Sequence, residues 1–198
     1  MKTIRLLPLL LMYFVSMAFA QSHDHKPAAA APSDAEKAFT ALKSLAGNWE
    51  GVMTLNPPIK EMDNAPMRVS LRVASKGHTF VHEMFSAAYD PIKDPGKQDD
   101  PFTLFVVEND RLLLTHYCDG DTRPKMVGKL SPDGKFIEFD FLDVTGKVQN
   151  GHMYHAKFTL VDADHHIEEW TYKLPNGVMM QARGELKRAA AGGASSGK

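Results

Sequence analysis

The sequence predicts an all-β fold, an antiparallel up-and-down barrel of about ten strands with one short N-terminal helix. Three observations point there. Apolar and polar residues alternate with a period of two through most of the chain, most cleanly in Met67-Arg68-Val69-Ser70-Leu71-Arg72-Val73. Short turn sequences such as Asn109-Asp110 and Pro175-Asn176-Gly177 join the segments, as in antiparallel hairpins. A helical spacing, Phe39, Leu42 and Leu45, is found ahead of the first strand. A meander of this length removes its exposed edges most simply by closing on itself. A two-sheet sandwich is the alternative arrangement.

Ahead of the folded part, residues 1–20 read as a secretory leader. Lys2 and Arg5 precede a mostly apolar run from Leu6 to Val15, and Ala18-Phe19-Ala20 fits the small-x-small cleavage rule. Cleavage after Ala20 leaves 21 basic residues against 24 acidic ones. The expected location is the periplasm or the outside of the cell. No later stretch approaches the roughly 18 apolar residues of a membrane-spanning helix, so the mature protein is expected to have no span. Residues 21–33 and 189–198 are rich in Ala, Pro, Gly and Ser and read as disordered, leaving 34–188 as one domain.

Within that domain, Ser33 or Asp34 caps a helix expected over Asp34–Leu45, and Gly47 ends it. Strands are expected at Trp49–Leu55, Met67–Val73, His78–Ser86, Phe102–Glu108, Arg111–Cys118, Lys125–Leu130, Lys135–Leu142, Gly151–Val161, His165–Leu174 and Val178–Lys187. Two longer connections, Asn56–Pro66 and Ala87–Pro101, are rich in proline and charge.

The function classes narrow early. Of 198 residues 43% are hydrophobic and 24% charged, and the formal net charge is -1. No basic excess or stripe suggests nucleic acid as a partner. A single cysteine, Cys118, excludes an internal disulfide framework and any Cys-rich metal centre.

If the more apolar face of each strand points inward, Trp49, Val69, Leu71, Leu114, Phe139, Phe158, Val178 and Met180 enter the interior. The same phase carries polar groups inside. His116 and Cys118 share a face with Leu112 and Leu114, and His152 and Tyr154 with Phe158. His166 and Glu168 share one with Trp170 and Tyr172. His82 follows Phe80 and Met84, although Val81 and Phe85 compete for that phase. A buried imidazole or carboxylate is costly without a partner. These residues therefore form a satisfied internal network or orient a ligand in a cavity.

Leu45-Ala46-Gly47-Asn48-Trp49-Glu50-Gly51, a short helix running into Gly-x-Trp and then about ten hairpin strands, resembles the calycin group of lipocalin-like barrels. Within that group the chain is most similar to exported bacterial barrel proteins of unknown function. Leu114-Thr115-His116-Tyr117-Cys118, Gly151-His152-Met153 and the stretch from Asp162 to Trp170 carry that likeness. It implies a barrel and brings no established ligand. The haem-binding nitrobindins resemble the chain more distantly. They ligate iron through a histidine near the barrel's end, whereas Val178–Arg188 contains none, leaving His152 or His166 as substitutes.

The expected function is binding of a small apolar or amphipathic molecule in the lumen by His116, His152, Tyr154, Glu168, Trp170 and Tyr172, with Trp49 as a structural plug. One alternative is a cavity enzyme using His116, Glu168 or Cys118 for acid–base chemistry. The side chains of His116 and Cys118 stand roughly 6–7 Å apart along a strand with no third orienting residue fixed by spacing. The other is a haem or metal binder, but no His-Glu-x-x-His pattern is present, and no cofactor or metal is expected. The oligomeric state is left open.

Overall fold

A computed structural model of the protein describes residues 31–60, 63–90, 93, 95–96 and 99–190. The expected leader, most of the 21–33 segment and the tail from 191 lie outside the described residues. Helix α1 (Asp34–Lys43) precedes ten strands: β1 (Gly47–Asn56), β2 (Ala65–Ala74), β3 (Thr79–Ser86), β4 (Phe102–Glu108), β5 (Arg111–Tyr117), β6 (Thr122–Leu130), β7 (Phe136–Gly146), β8 (His152–Leu160), β9 (His165–Lys173) and β10 (Met179–Arg188).

Each strand pairs antiparallel with its sequence neighbours, and β10 returns to pair with β1, setting Arg188 opposite Trp49 and Ala182 opposite Leu55. The sheet is a closed barrel without edges, and the sandwich does not form.

A complete capping box starts α1. The Ser33 hydroxyl accepts from the Glu36 amide, and the Glu36 carboxylate accepts from the Ser33 amide. The helix stops two residues before Leu45 because the Ser44 amide and hydroxyl both turn back to the Ala41 carbonyl. Its buried face, Ala35, Ala38, Phe39 and Leu42, packs on β4 to β7 at one end of the barrel. The β2–β3, β4–β5, β6–β7 and β8–β9 turns lie at that end. The connections 57–64 and 87–101 lie at the other.

Gly47 sits at φ 144°, and a Cβ there would come 2.3 Å from Arg188 Nη1. Gly128 leaves the space that the Phe139 ring fills.

Several boundaries differ from the sequence expectation for local reasons. Strand β5 ends at Tyr117, so Cys118 falls outside it. Strand β7 continues to Gly146 through a register shift against β6 between Lys125 and Met126. Val178 was expected inside, but it closes the β9–β10 turn by accepting the Leu174 amide and is 47% exposed.

Candidate functional site

Polar side chains cross the interior from two walls. On β3, β4 and β5, His82, Thr103 and His116 are cross-strand neighbours facing inward, which fixes the phase of β3 that competing apolar residues had left open. From the opposite wall β9 presents His166, Glu168 and Trp170 on one face. Glu168 is fully buried and spans the lumen. Its Oε2 lies 2.9 Å from His82 Nε2 and accepts from the Trp170 indole N–H at 3.1 Å. Its Oε1 lies 3.0 Å from His166 Nε2.

An ionised carboxylate only accepts, so both imidazoles carry a proton on Nε2. Burial alone would raise the Glu168 pKa. The two imidazoles and their hydrogen bonds outweigh it and hold the group well below the usual carboxylate range. Each histidine keeps a buried Nδ1 without a partner.

His116 is different. Its Nδ1 lies 2.9 Å from Thr103 Oγ1, and its ring packs 5.7 Å from Trp170. Burial, with His82 adding to it, pushes its pKa down to about 3, so the ring is neutral at physiological pH. Among the described residues its Nε2 has no protein partner. The residue is 4% exposed and lies at the end of β5 toward the open end of the barrel.

Toward the end opposite α1, the inward positions of β1, β3, β7, β8 and β10 carry Met53, Met84, Phe141, Met153 and Met180. All are half-buried. His152 was expected on the inward face, but a register shift in β8 sets it opposite Lys173, one residue off the inward Met153. It is still buried, donates from Nδ1 to the Met153 carbonyl at 3.0 Å and packs 5.0 Å from the Phe141 ring. Tyr154 was expected on the inward face with Phe158. A register shift between Met153 and His155 leaves it 36% exposed, stacked on Phe141. The half-buried Tyr172 donates its hydroxyl to the Asn150 carbonyl at the rim.

The structure thus brings His116, Glu168 and Trp170 together in the interior and sets His152, Tyr154 and Tyr172 around the open end. Sequence reasoning left His82, His166 and Thr103 off the site. His82 and His166 carried the signal of inward phase. Thr103 reads as an ordinary strand former, and its role shows only through its neighbour on β5.

Cys118 gathers with Asp99 and Asp119, their ligating atoms lying within 4.8 Å of one another. Burial and then the two carboxylates push the thiol pKa up, against a backbone hydrogen bond from Gly120. That is opposite to what a thiolate nucleophile requires. Two concavities lie outside the lumen, one of about 460 Å³ at the rim between Phe102, Tyr117 and this acidic group, the other of about 480 Å³ on the outer face of β7 to β10 and the end of β1.

No protein-family profile and no curated protein matches the sequence. Among solved structures, Rv2717c from M. tuberculosis is 15% identical with a TM-score of 0.54, covering 77% of this chain and 97% of that one. A DUF3598-family protein from Nostoc punctiforme is 10% identical with a TM-score of 0.50, covering 75% of this chain and 49% of that one. EF1p2_mFAP2b, solved bound to DFHBI, aligns at 12% identity with a TM-score of only 0.35. At such identities the first two likenesses establish the fold, a barrel of this class.

Proposed function

We propose that the protein is an exported, calycin-like binding protein that takes a small apolar or amphipathic molecule into the open half of its barrel. The observation that carries this reading is the Nε2 of the buried, neutral His116, which has no partner among the described residues. It is a single polar anchor below a ring of half-buried thioethers and aromatic rings, the pattern of sites that orient a largely apolar ligand. Met53, Met84, Met153 and Met180 supply flexible, polarizable walls that fit ligands of varied shape. Depending on which atom of the Thr103–His116 pair carries the proton, Nε2 donates or accepts, which suits a hydroxyl or carbonyl on the ligand.

Glu168 serves this site from behind, by fixing Trp170. His152, Tyr154 and Tyr172 line the approach. Reading residues 1–20 as a leader supports a location in the periplasm or outside the cell. A cavity enzyme is less well supported, because Glu168 already accepts three hydrogen bonds and the Cys118 thiol is held protonated.

Titration with the uncharged fluorophore N-phenyl-1-naphthylamine tests the proposal. Saturable binding is expected, weakened about tenfold or more by Met180→Lys, which sets a charge in the mouth. His116→Leu should weaken binding severalfold. Val73→Lys, exposed at the helix end, should leave it unchanged. Absence of saturable binding, or equal affinity in Met180→Lys, would overturn the reading.

A further inference from the structure

On the outer face of the sheet, Glu138, Lys157, Glu169 and Arg183 lie side by side across β7, β8, β9 and β10, each directly opposite the next. Their signs alternate. Neighbours of opposite sign on a sheet surface ordinarily pair with each other, and here they do not. Glu138 turns along the sheet to His155 at 3.1 Å, and Arg183 turns to Glu185 at 2.8 Å. Lys157 leans over the Phe136 ring, 4.4 Å from its centroid. Among the described residues, neither Lys157 nor Glu169 makes an ion pair. All four line the groove of about 480 Å³, which runs on to Thr54 of β1.

We infer that this face docks a second copy of the chain. Two copies meeting face to face are related by a two-fold axis lying in the interface, and the contact is then isologous. The row distinguishes the two simple directions of that axis. An axis across the strands would set each charge against its own copy, Glu138 on Glu138 and Lys157 on Lys157. An axis along the strands, passing between β8 and β9, reverses the row. Lys157 then faces Glu169 of the second copy, Glu138 faces Arg183 of the second copy, and every contact has opposite signs.

A row of four alternating charges centred on the axis is thus complementary to itself in one orientation and repulsive in the other. That selects geometry as well as partner. The same axis leaves both open ends facing the same way, clear of the interface.

Sedimentation of the full chain at about 0.02 M and about 0.5 M salt tests the inference, because exposed charge contacts are screened at the higher value. The expected species at low salt is a dimer that weakens as salt rises. Glu169→Lys and Lys157→Glu should each weaken association about tenfold or more, since each reverses two symmetric contacts. The double exchange Lys157→Glu/Glu169→Lys restores opposite signs and should restore the dimer. Far-UV circular dichroism confirms that each variant is folded. A wild-type chain that stays monomeric at low salt overturns the inference. So does a dimer indifferent to Glu169→Lys, or a folded double variant that remains monomeric.

Discussion

The two ends of the barrel use the same alternation of inward and outward residues and finish in opposite ways. At the helix end the interior is sealed, even around His166 Nδ1, which has no partner there. Trp49 is fully buried and donates its indole N–H to the Leu45 carbonyl at 2.8 Å. The Arg188 guanidinium lies 4.2 Å over the Trp49 ring while donating to the Ala46 and Ala163 carbonyls and to Asp164. Helix α1 covers what remains. At the far end the inward side chains are mostly unbranched thioethers, still half-buried, and one imidazole nitrogen is unclaimed. Rigid rings with every donor placed make a seal. Flexible side chains with a donor to spare make a mouth.

The sharpest way to break this contrast is to empty both ends. Trp49→Ala should destabilise by about 3–5 kcal/mol, the usual result of removing a buried aromatic side chain. Met180→Ala, half-exposed, should lose about 1 kcal/mol or less. Urea midpoints of the two variants measure the difference. Similar losses at both ends would mean that the mouth is packed as tightly as the seal.

Between the ends, Glu168 holds the walls together. Glu168→Gln replaces an acceptor by an amide whose N–H must face the N–H of an imidazole. Stability should fall by about 3 kcal/mol, as when one member of a buried charged network is lost. A fall below about 1 kcal/mol in urea would show that the three donors find other partners.

Proton linkage gives the smallest effect per unit. His116 titrates at about 3 in the fold instead of 6.5, so the unfolded chain binds its proton first as pH falls. Stability is therefore lost progressively below about pH 6.5, by up to about 1.4 kcal/mol per pH unit. Glu168, held below its ordinary 4.5, adds a loss of the same sign at lower pH. In His116→Gln the stability profile should be flatter between about pH 6.5 and 4.5 and keep the steeper acid limb. A wild-type profile that is level from about pH 6.5 to 5 would contradict the buried, neutral state of this ring.

Much of this was legible in the sequence, and the reasons for the rest are physical. Period-two alternation names the face of a residue, so Trp49, His116, His166, Glu168 and Trp170 were assigned inward and are buried. Alternation does not say which inward residues meet across the lumen. The His82–Glu168 contact joins residues 86 apart in sequence, and only closure of β1 on β10 brings those walls together. Nor does periodicity foresee a register shift. One inserted step in β8 moved Tyr154 to the rim, and the early end of β5 turned Cys118 toward Asp99 and Asp119. The charged row across β7 to β10 was equally invisible, because its members lie on four strands whose register is set by pairing.

Closure of β1 on β10 also has a consequence in time. The first strand of the barrel pairs with the last, Trp49 against Arg188, so the ring cannot be completed until nearly the whole domain is available. Contacts between such distant parts of a chain are won late and slowly, after the entropy of a long loop has been overcome. Until then β1 has β2 on one side and an open row of amides and carbonyls on the other. The chain therefore has an interval in which its hairpins exist and its lumen does not. An exposed strand edge in that interval invites pairing with other chains, and its duration sets how long the nascent protein needs protection from them.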